Sequence, residues 1–242
     1  MFSKEFDKAK GAQAMMIRSL FVGGSRIGTS ADLPETIMRA LDRYMQHEVQ
    51  IHVGDACGAD LIFQRYLARA NYEEVTVFHS AVRPRNIVVK HWQTIPVGVD
   101  SGLTGRALMT LKDVEMVRRS EAGLMLWDPI SLNRYGKWQV SKGTLSNCAN
   151  LVTAGKEVQV YLQPNEKSAR EREMVNLETP QDLRKWLGLL NELARDHEEK
   201  VKYSRVAAAG EEALAVAAKR LASGELGEEN NGDFGEQLLL RF

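Results

Sequence analysis

Short apolar runs alternate with longer amphipathic segments over the first 162 residues or so of the chain. The runs predict buried strands at 18–23, 49–53, 75–79, 123–127 and 157–162. Between them apolar residues recur at helical spacing, as in Leu33, Ile37 and Leu41 after the first run. Strands that alternate with helices are typical of βαβ units. The pattern therefore predicts an α/β fold, a Rossmann-like parallel sheet of about five strands flanked by helices.

The pattern changes after Leu162, and residues 163–178 are interpreted as a polar linker or return segment. Thr179, Pro180 and Asp182 then form a good helix start, and a second, alanine-rich helix is predicted from about Val206 to Leu221. The predicted organisation is a Rossmann-like domain, a C-terminal helical extension and a loose C-terminal tail. Their bounds are 15–163, 164–224 and 225–242.

The composition disfavours some classes of function but does not identify one. The formal net charge is zero, so the whole chain has no electrostatic attraction to nucleic acid or anionic membrane. No apolar stretch approaches the roughly 20 residues of a membrane span, and the N-terminal residues do not resemble a secretory leader. Cys57 and Cys148 are too few for a disulfide framework or a structural zinc site. We expect a cytoplasmic protein with no metal and no cofactor.

Glycine-rich and polar loops follow the predicted strands, where parallel sheets bind ligands. GGSRIG (23–28) lacks the dinucleotide fingerprint and there is no Walker lysine pattern, but Arg26 could hold a phosphate. In GDACGAD (54–60) the glycines permit a compact turn and Asp55 could accept ribose hydroxyls. Asp60 could cap the next helix or take part in chemistry. SKGTLSN (141–147) is typical of a phosphate seat at a helix start.

Taken together, FVGGSR, HVGDACGAD, KDVEMVRRSEAGLMLWD and SKGTLSNCANLVTAGKEVQVYL resemble the SLOG superfamily of Rossmann-like domains, within it the YspA-like branch. The resemblance covers roughly residues 18–162. It implies a pocket for a nucleotide or nucleotide-derived ligand at the strand ends. Some relatives hydrolyse N-glycosidic bonds, and others sense nucleotide signals or bind single-stranded DNA. The positions that match ligand-binding loops are Gly24, Ser25, Arg26, Gly54, Asp55, Gly58, Asp60, Ser141, Gly143 and Thr144.

Three departures from that pattern bear on activity. An Arg-Asn pair of the family falls on Lys112 and Asp113, which keeps one positive charge as a phosphate partner. The insertion PISLNRYGKWQV (129–140) is longer than the usual connection and could be a lid, an interaction arm or a surface loop. Hydrolytic relatives place a catalytic glutamate where this chain has Asn147, which neither donates nor accepts a proton as a carboxyl does. Asp128, at the neighbouring strand end, is the substitute that the sequence offers.

These observations lead to three hypotheses. The first is a protein that senses or sequesters a nucleotide-derived ligand without strong catalysis, with Asn147 and Lys112 among its ligand contacts. The second is an N-glycoside hydrolase of nucleoside phosphates or NAD that uses Asp128, or Asp55. The third is an oligomeric scaffold or host-interaction protein. The expected partners are a nucleotide-derived small molecule and a second copy of the chain, with no membrane; nucleic acid is disfavoured but left open.

Overall fold

The structure, a computed structural model, describes residues 17–26, 32–132, 135–162, 174–194 and 196–227. Within these ranges the strands are β1 (Ser19–Gly24), β2 (Gln50–Gly54), β3 (Val75–His79), β4 (Gln93–Pro96), β5 (Ala122–Trp127), β6 (Ile130–Leu132), β7 (Trp138–Val140), β8 (Val158–Leu162) and β9 (Met174–Leu177). The helices are α1 (Glu35–Gln46), α2 (Ala59–Arg69), α3 (Gly105–Arg119), α4 (Lys142–Thr153), α5 (Pro180–Glu192) and α6 (His197–Ala222). No helix in these ranges is long and apolar enough to cross a membrane.

The main sheet of the described residues has seven strands in the order β4-β3-β2-β1-β5-β8-β9. Every neighbouring pair is parallel except β8 and β9, so the predicted α/β fold with a Rossmann-like parallel sheet is confirmed. The chain moves outward from β1 to β4 and then crosses back to place β5 on the other side of β1. Such a reversal leaves a crevice beyond the carboxyl ends of the two strands, here β1 and β5.

Two hydrophobic clusters cover the two faces of the sheet, because successive side chains of a strand point to opposite faces. Leu20 and Val22 pack in a cluster with α1 and α2. Phe21, between them in sequence, packs in the other cluster with α3, α4, α5 and α6. The central strands are buried on both sides, which is why their sequences are continuous apolar runs.

The C-terminal helices belong to the second of these clusters. At the start of α5, Asp182 N donates to Thr179 Oγ1 (3.2 Å) and Thr179 N donates to the Asp182 carboxylate (2.9 Å); this capping box lies at the helix start predicted from the sequence. Helix α6 begins earlier than predicted, because Asp196 caps it by accepting from Glu199 N at 2.8 Å. Leu187 of α5 lies so close to Gly210 of α6 that a Cβ there would meet it at 2.2 Å.

Helices α5 and α6 therefore pack on the Rossmann-like core. Leu183 and Leu214 lie in the same hydrophobic cluster as Leu145 and Leu151 of α4. That cluster extends across the predicted division between residues 163 and 164. Of the predicted loose tail, 225–242, the described part ends at Gly227.

Four strands were not predicted as such. β4 is the exposed edge of the sheet, and its sequence QTIP gives no apolar run. β9 lies within the segment interpreted as a polar linker or return segment, and pairs with β8 in antiparallel register. β6 and β7 pair as a hairpin within the insertion 129–140, with Ile130 opposite Val140. Ile130 and Val140 both contact the hydrophobic cluster that holds α4, so the base of the insertion is anchored.

Candidate functional site

The side chain of Ser25 connects the two sides of the crevice between β1 and β5. Ser25 is 4% exposed. Ser25 Oγ donates to Asp128 O (3.1 Å) and accepts from Asp128 N (3.0 Å). The same oxygen lies 2.8 Å from Ser141 Oγ and 3.5 Å from Thr144 Oγ1. One hydroxyl has one proton and two lone pairs, so these contacts use its full capacity. Ser25 thus holds the ends of β1 and β5 to the start of α4, and has no capacity left for a ligand.

Gly24 and Arg26, on either side of Ser25 in the first loop, do not share its network of hydrogen bonds. A Cβ at Gly24 would lie 2.0 Å from Leu126 O, so a glycine is needed for β1 to approach β5. Arg26 is exposed and remains a possible phosphate contact. Residues 27 and 28 of the predicted loop lie outside the described part of the chain.

The loop after β2 contains a buried ion pair between Asp55 and Arg85. Asp55 is fully buried and accepts from Arg85 Nε (2.9 Å), Arg85 Nη2 (2.6 Å) and the backbone N of Arg85 (3.0 Å). Burial alone would raise the pKa of Asp55, but the hydrogen bonds and charge of Arg85 hold it below its usual value. This geometry favours a structural role for Asp55 over the expected contact with ribose hydroxyls. Its partner, Arg85, lies in the segment between β3 and β4.

The side chains of Asp60 and Lys112 both lie beside Gly54, at the start of the same loop. A Cβ added to Gly54 would lie 2.3 Å from Asp60 Oδ2 and 2.8 Å from Lys112 Nζ, so the missing side chain creates the space that both groups fill. Lys112 is 4% exposed and also lies 3.1 Å from Asp113 Oδ1. Because α2 and α3 cover opposite faces of the sheet, Asp60 and Lys112 reach the same place at the sheet edge from the two layers.

Burial determines the protonation of this cluster. It raises the pKa of Asp60 to about 6, against the opposing charge of Lys112 and a hydrogen bond from Ala56 N (3.1 Å). For Lys112, burial is outweighed by Asp113 and Asp60, which raise its pKa and keep it charged. The interpretation of Asp60 as a helix cap is wrong, because the N-cap of α2 is Gly58 at φ 93° and has no side-chain capping bond. Lys112, expected to contact a phosphate, is neutralised by protein carboxylates.

The start of α4 is the open part of the site. Ser141, its N-cap, makes no side-chain capping bond, and the first turn has no acidic residue. The first N–H groups of a helix have no partner within the helix, and its positive end favours anions. Gly143 is exposed, and a Cβ there would meet nothing within 4 Å. A ligand atom can therefore approach the backbone of this turn.

Asn147 lies one turn further along α4 and is 7% exposed. Its amide has no hydrogen-bond partner among the described residues, and neither of its polar atoms is fully sealed from solvent. Positions i and i+4 share a helix face, and helical side chains lean toward the N-terminus. Asn147 therefore lies on the same helix face as Gly143, one turn farther along. An amide without a protein partner keeps its hydrogen-bonding capacity for a ligand.

Asp128 is the carboxyl group at the end of β5. Burial raises its pKa to about 6, although Oδ1 accepts a hydrogen bond from Ile130 N at 3.3 Å. The hairpin that follows is closed at its base, where Ser141 N donates to Pro129 O (3.0 Å) and Trp127 Nε1 donates to Ser141 O (3.3 Å). Farther out, Lys202 Nζ of α6 lies 4.0 Å from the centre of the Trp138 ring.

Other polar and aromatic residues near the site take structural positions. His52 is buried, with its Nδ1 2.8 Å from Ser120 Oγ, and burial and the charge of Arg119 lower its pKa to about 4. Trp92 and Trp127 are in the core. Among the described residues, no three His, Cys, Asp or Glu side chains form a group that could hold a metal ion.

Most of the predicted positions fall into three sets. Ser25, Ser141, Thr144 and Asp128 come together in the crevice, and Gly54, Asp60 and Lys112 form a neighbouring buried cluster. Arg26 and Gly143 are exposed, and Asn147 has no hydrogen-bond partner among the described residues. Comparisons with family models, with curated proteins and with solved structures found no match. The site must therefore be interpreted from its own residues.

Proposed function

We propose that this protein binds a nucleotide or nucleotide-derived ligand in the crevice between β1 and β5, without strong catalysis. The observation that carries the proposal is the uncovered first turn of α4, one turn before Asn147, whose amide has no hydrogen-bond partner among the described residues. A phosphate is the natural ligand for that turn, because its oxygens accept from several N–H groups at once and its charge matches the helix dipole. The resemblance to SLOG domains supports a nucleotide rather than a simple anion.

The carboxyl groups of the site support binding over catalysis. Asp55 is ionised in a pair with Arg85, and Asp60 is buried against Lys112. Asn147 can donate and accept hydrogen bonds but cannot transfer a proton in the manner of a carboxyl. An amide at this position suits the recognition of a sugar hydroxyl or a base edge.

Asp128 keeps the alternative of N-glycoside hydrolysis open. A carboxyl with a pKa of about 6 at a crevice can act as a general acid near neutral pH. Measuring free base released from NMPs or NAD tests this alternative, and a release that disappears in Asp128→Asn would support it. The absence of base release with every bound ligand would eliminate it.

Binding is best tested with two asparagines of α4. Asn147→Leu removes the unpartnered amide, so we expect it to weaken AMP, NAD or ADP-ribose binding about tenfold. Asn150→Leu is the matched control: Asn150 accepts from Arg220 Nη1 at 3.2 Å, so its loss should destabilise the fold and leave affinity unchanged.

Calorimetry with these ligands and with unphosphorylated adenosine measures the affinities, and urea denaturation measures the stabilities. Adenosine should bind at least about tenfold more weakly than AMP, because it lacks the charge that the helix start attracts. The proposal fails if none of the phosphorylated ligands binds, or if Asn147→Leu binds them as well as the wild type does.

A further inference from the structure

The hairpin β6–β7 has an apolar face and a polar face. In its antiparallel register Ile130 lies opposite Val140, and Ser131 lies opposite Gln139. Ile130 and Val140 pack against the hydrophobic cluster that holds α4, α5 and α6. Successive residues of a strand point to opposite faces, so Ser131 and Gln139 are on the face turned away from these helices. We call this pair of residues the polar face of the hairpin.

The polar face continues into the crevice. Ser141 N donates to Pro129 O at 3.0 Å, so the pairing of the two strands extends one residue past the end of β7. Ser141 therefore points to the same side as Gln139, two residues before it. The Ser141 hydroxyl lies in the crevice, 2.8 Å from Ser25 Oγ. Because two residues of strand span roughly 7 Å, Gln139 lies close to the start of α4 on the crevice side.

Two contacts fix the position of α6 along α4. Lys142 Nζ donates to Glu212 Oε2 at 2.8 Å, and Arg220 Nη1 donates to Asn150 Oδ1 at 3.2 Å. In each contact the partners are 70 residues apart, so the two helices run parallel. Lys142 is the first residue of α4. The residues of α6 before Glu212 therefore extend past the start of α4, on the side where the hairpin lies.

This extended part of α6 holds the hairpin. Lys202 precedes Glu212 by about ten residues, or roughly 15 Å of helix. Its Nζ lies 4.0 Å from the centre of the Trp138 ring, at a distance that gives a cation–π contact. Trp138 and Val140 share the apolar face of the hairpin. The hairpin is thus anchored at its base by the core and farther out by α6, which favours a fixed side of the crevice over a lid.

We propose that the polar face of the hairpin binds the nucleobase of the ligand. The inference rests on the proposed function, in which a phosphate of the ligand occupies the start of α4. A nucleoside that extends from this phosphate along β7 reaches Gln139, whose amide offers both a donor and an acceptor to a base edge. Ser131 adds a hydroxyl opposite it. The ligand class is then a nucleoside phosphate rather than a sugar phosphate.

The first test compares AMP with ribose 5-phosphate, which lacks the base, by calorimetry on the full chain. The wild type should bind AMP at least about tenfold more tightly than ribose 5-phosphate. Gln139→Ala removes the hydrogen bonds to the base, so it should weaken AMP binding about threefold to tenfold and leave ribose 5-phosphate binding unchanged. Gln181→Ala is the matched control, the same change at an exposed glutamine of α5, and should alter neither affinity.

The second test treats Trp138 as a positioning residue that acts through the hairpin. Trp138→Ala removes the ring that Lys202 contacts, so it should weaken AMP binding about threefold to tenfold without a change for ribose 5-phosphate. Trp138→Phe keeps an aromatic ring beside Lys202 and should restore most of the AMP affinity. Equal losses for both ligands in Trp138→Ala, or no rescue by phenylalanine, would overturn this role of Trp138.

The outcomes separate this inference from the function on which it rests. Equal affinities of the wild type for AMP and ribose 5-phosphate, or an unchanged AMP affinity in Gln139→Ala, would overturn the inference and leave binding at the start of α4 in place. An equal loss for both ligands in Gln139→Ala would also overturn it, because the residue would then act on the phosphate end. If the wild type bound neither compound, the inference and the proposed function would fail together.

Discussion

The loop after β2 and the start of α4 lie on the same edge of the sheet, but they use their polar groups in opposite ways. At the loop, Asp55 is paired with Arg85, and Asp60 accepts from Ala56 N with the charge of Lys112 nearby. At the helix start, the first turn is uncovered and the Asn147 amide has no partner among the described residues. The first arrangement stabilises the edge of the sheet, and the second leaves hydrogen-bonding groups available for a ligand.

This difference shows that a polar, glycine-rich loop is not by itself a binding site. Gly54 and Gly143 both look like positions where a ligand could approach the backbone. At Gly54 the space is filled by Asp60 and Lys112, whereas at Gly143 it is empty. What decides between the two is whether another part of the chain supplies the partner.

The largest effect is expected from breaking the Asp55–Arg85 pair. Arg85→Ala leaves a fully buried carboxylate without its partner and should lower the free energy of unfolding by about 3–5 kcal/mol. Arg69→Ala is the matched control, because Arg69 and Asp32 form a pair whose side chains are both largely exposed, worth about 0–1 kcal/mol. Urea denaturation measures both. Equal losses of unfolding free energy in the two variants would show that the buried pair stabilises the fold no more than the exposed pair does.

A smaller effect is expected from the titration of Asp60. Its folded pKa of about 6 lies above the unfolded value of 3.8, so the folded state holds the proton more tightly. The resulting stability is present at low pH and is lost as pH rises from about 4 to about 6. Asp60→Asn should remove this loss, which amounts to roughly 2–3 kcal/mol.

The measurement for Asp60 is the difference in unfolding free energy between wild type and variant across that pH range. Lys112, Asp113 and Asp55 face Asp60 in both proteins, so most of their contribution cancels. A difference that stayed constant with pH would show that Asp60 is ionised throughout.

The smallest effects are expected from alanine substitutions at the two glycines, Gly54 and Gly143. Gly54→Ala forces a Cβ against Asp60 and Lys112 and should destabilise the fold by about 2 kcal/mol. Gly143→Ala adds a Cβ in open space within a helix and should stabilise the fold by about 0.5–1 kcal/mol. Thermal unfolding of the two variants provides the comparison. Effects of the same sign would mean that the two loops do not differ as described.

Much of the fold followed from local patterns. The five predicted strands are all present, because each is an apolar run buried on both faces of the sheet. The capping box at Thr179 was equally local. β4 and β9 escaped prediction because short edge strands owe their form to pairing with a neighbour rather than to their own apolar residues.

The sequence predicted where the candidate site lies, but not which of its polar groups have partners within the protein. The order of the loops placed Ser25, Asp128 and Ser141 at one edge, and they do meet. The commitment of Asp55 to Arg85 depends on a side chain 30 residues away, and no local pattern encodes that pairing. The accessibility of Asn147 likewise depends on what the rest of the chain leaves uncovered.

The contacts of Ser25 also have a consequence for the folding pathway. They join residues separated by 103 and 116 positions in sequence, and closing such long loops is slow because their entropy must be lost first. The crevice should therefore form late, after local hairpins and helices. Helix α4 also needs α6 against it, so during synthesis a nascent chain would become competent to bind only when residues near 220 have left the ribosome.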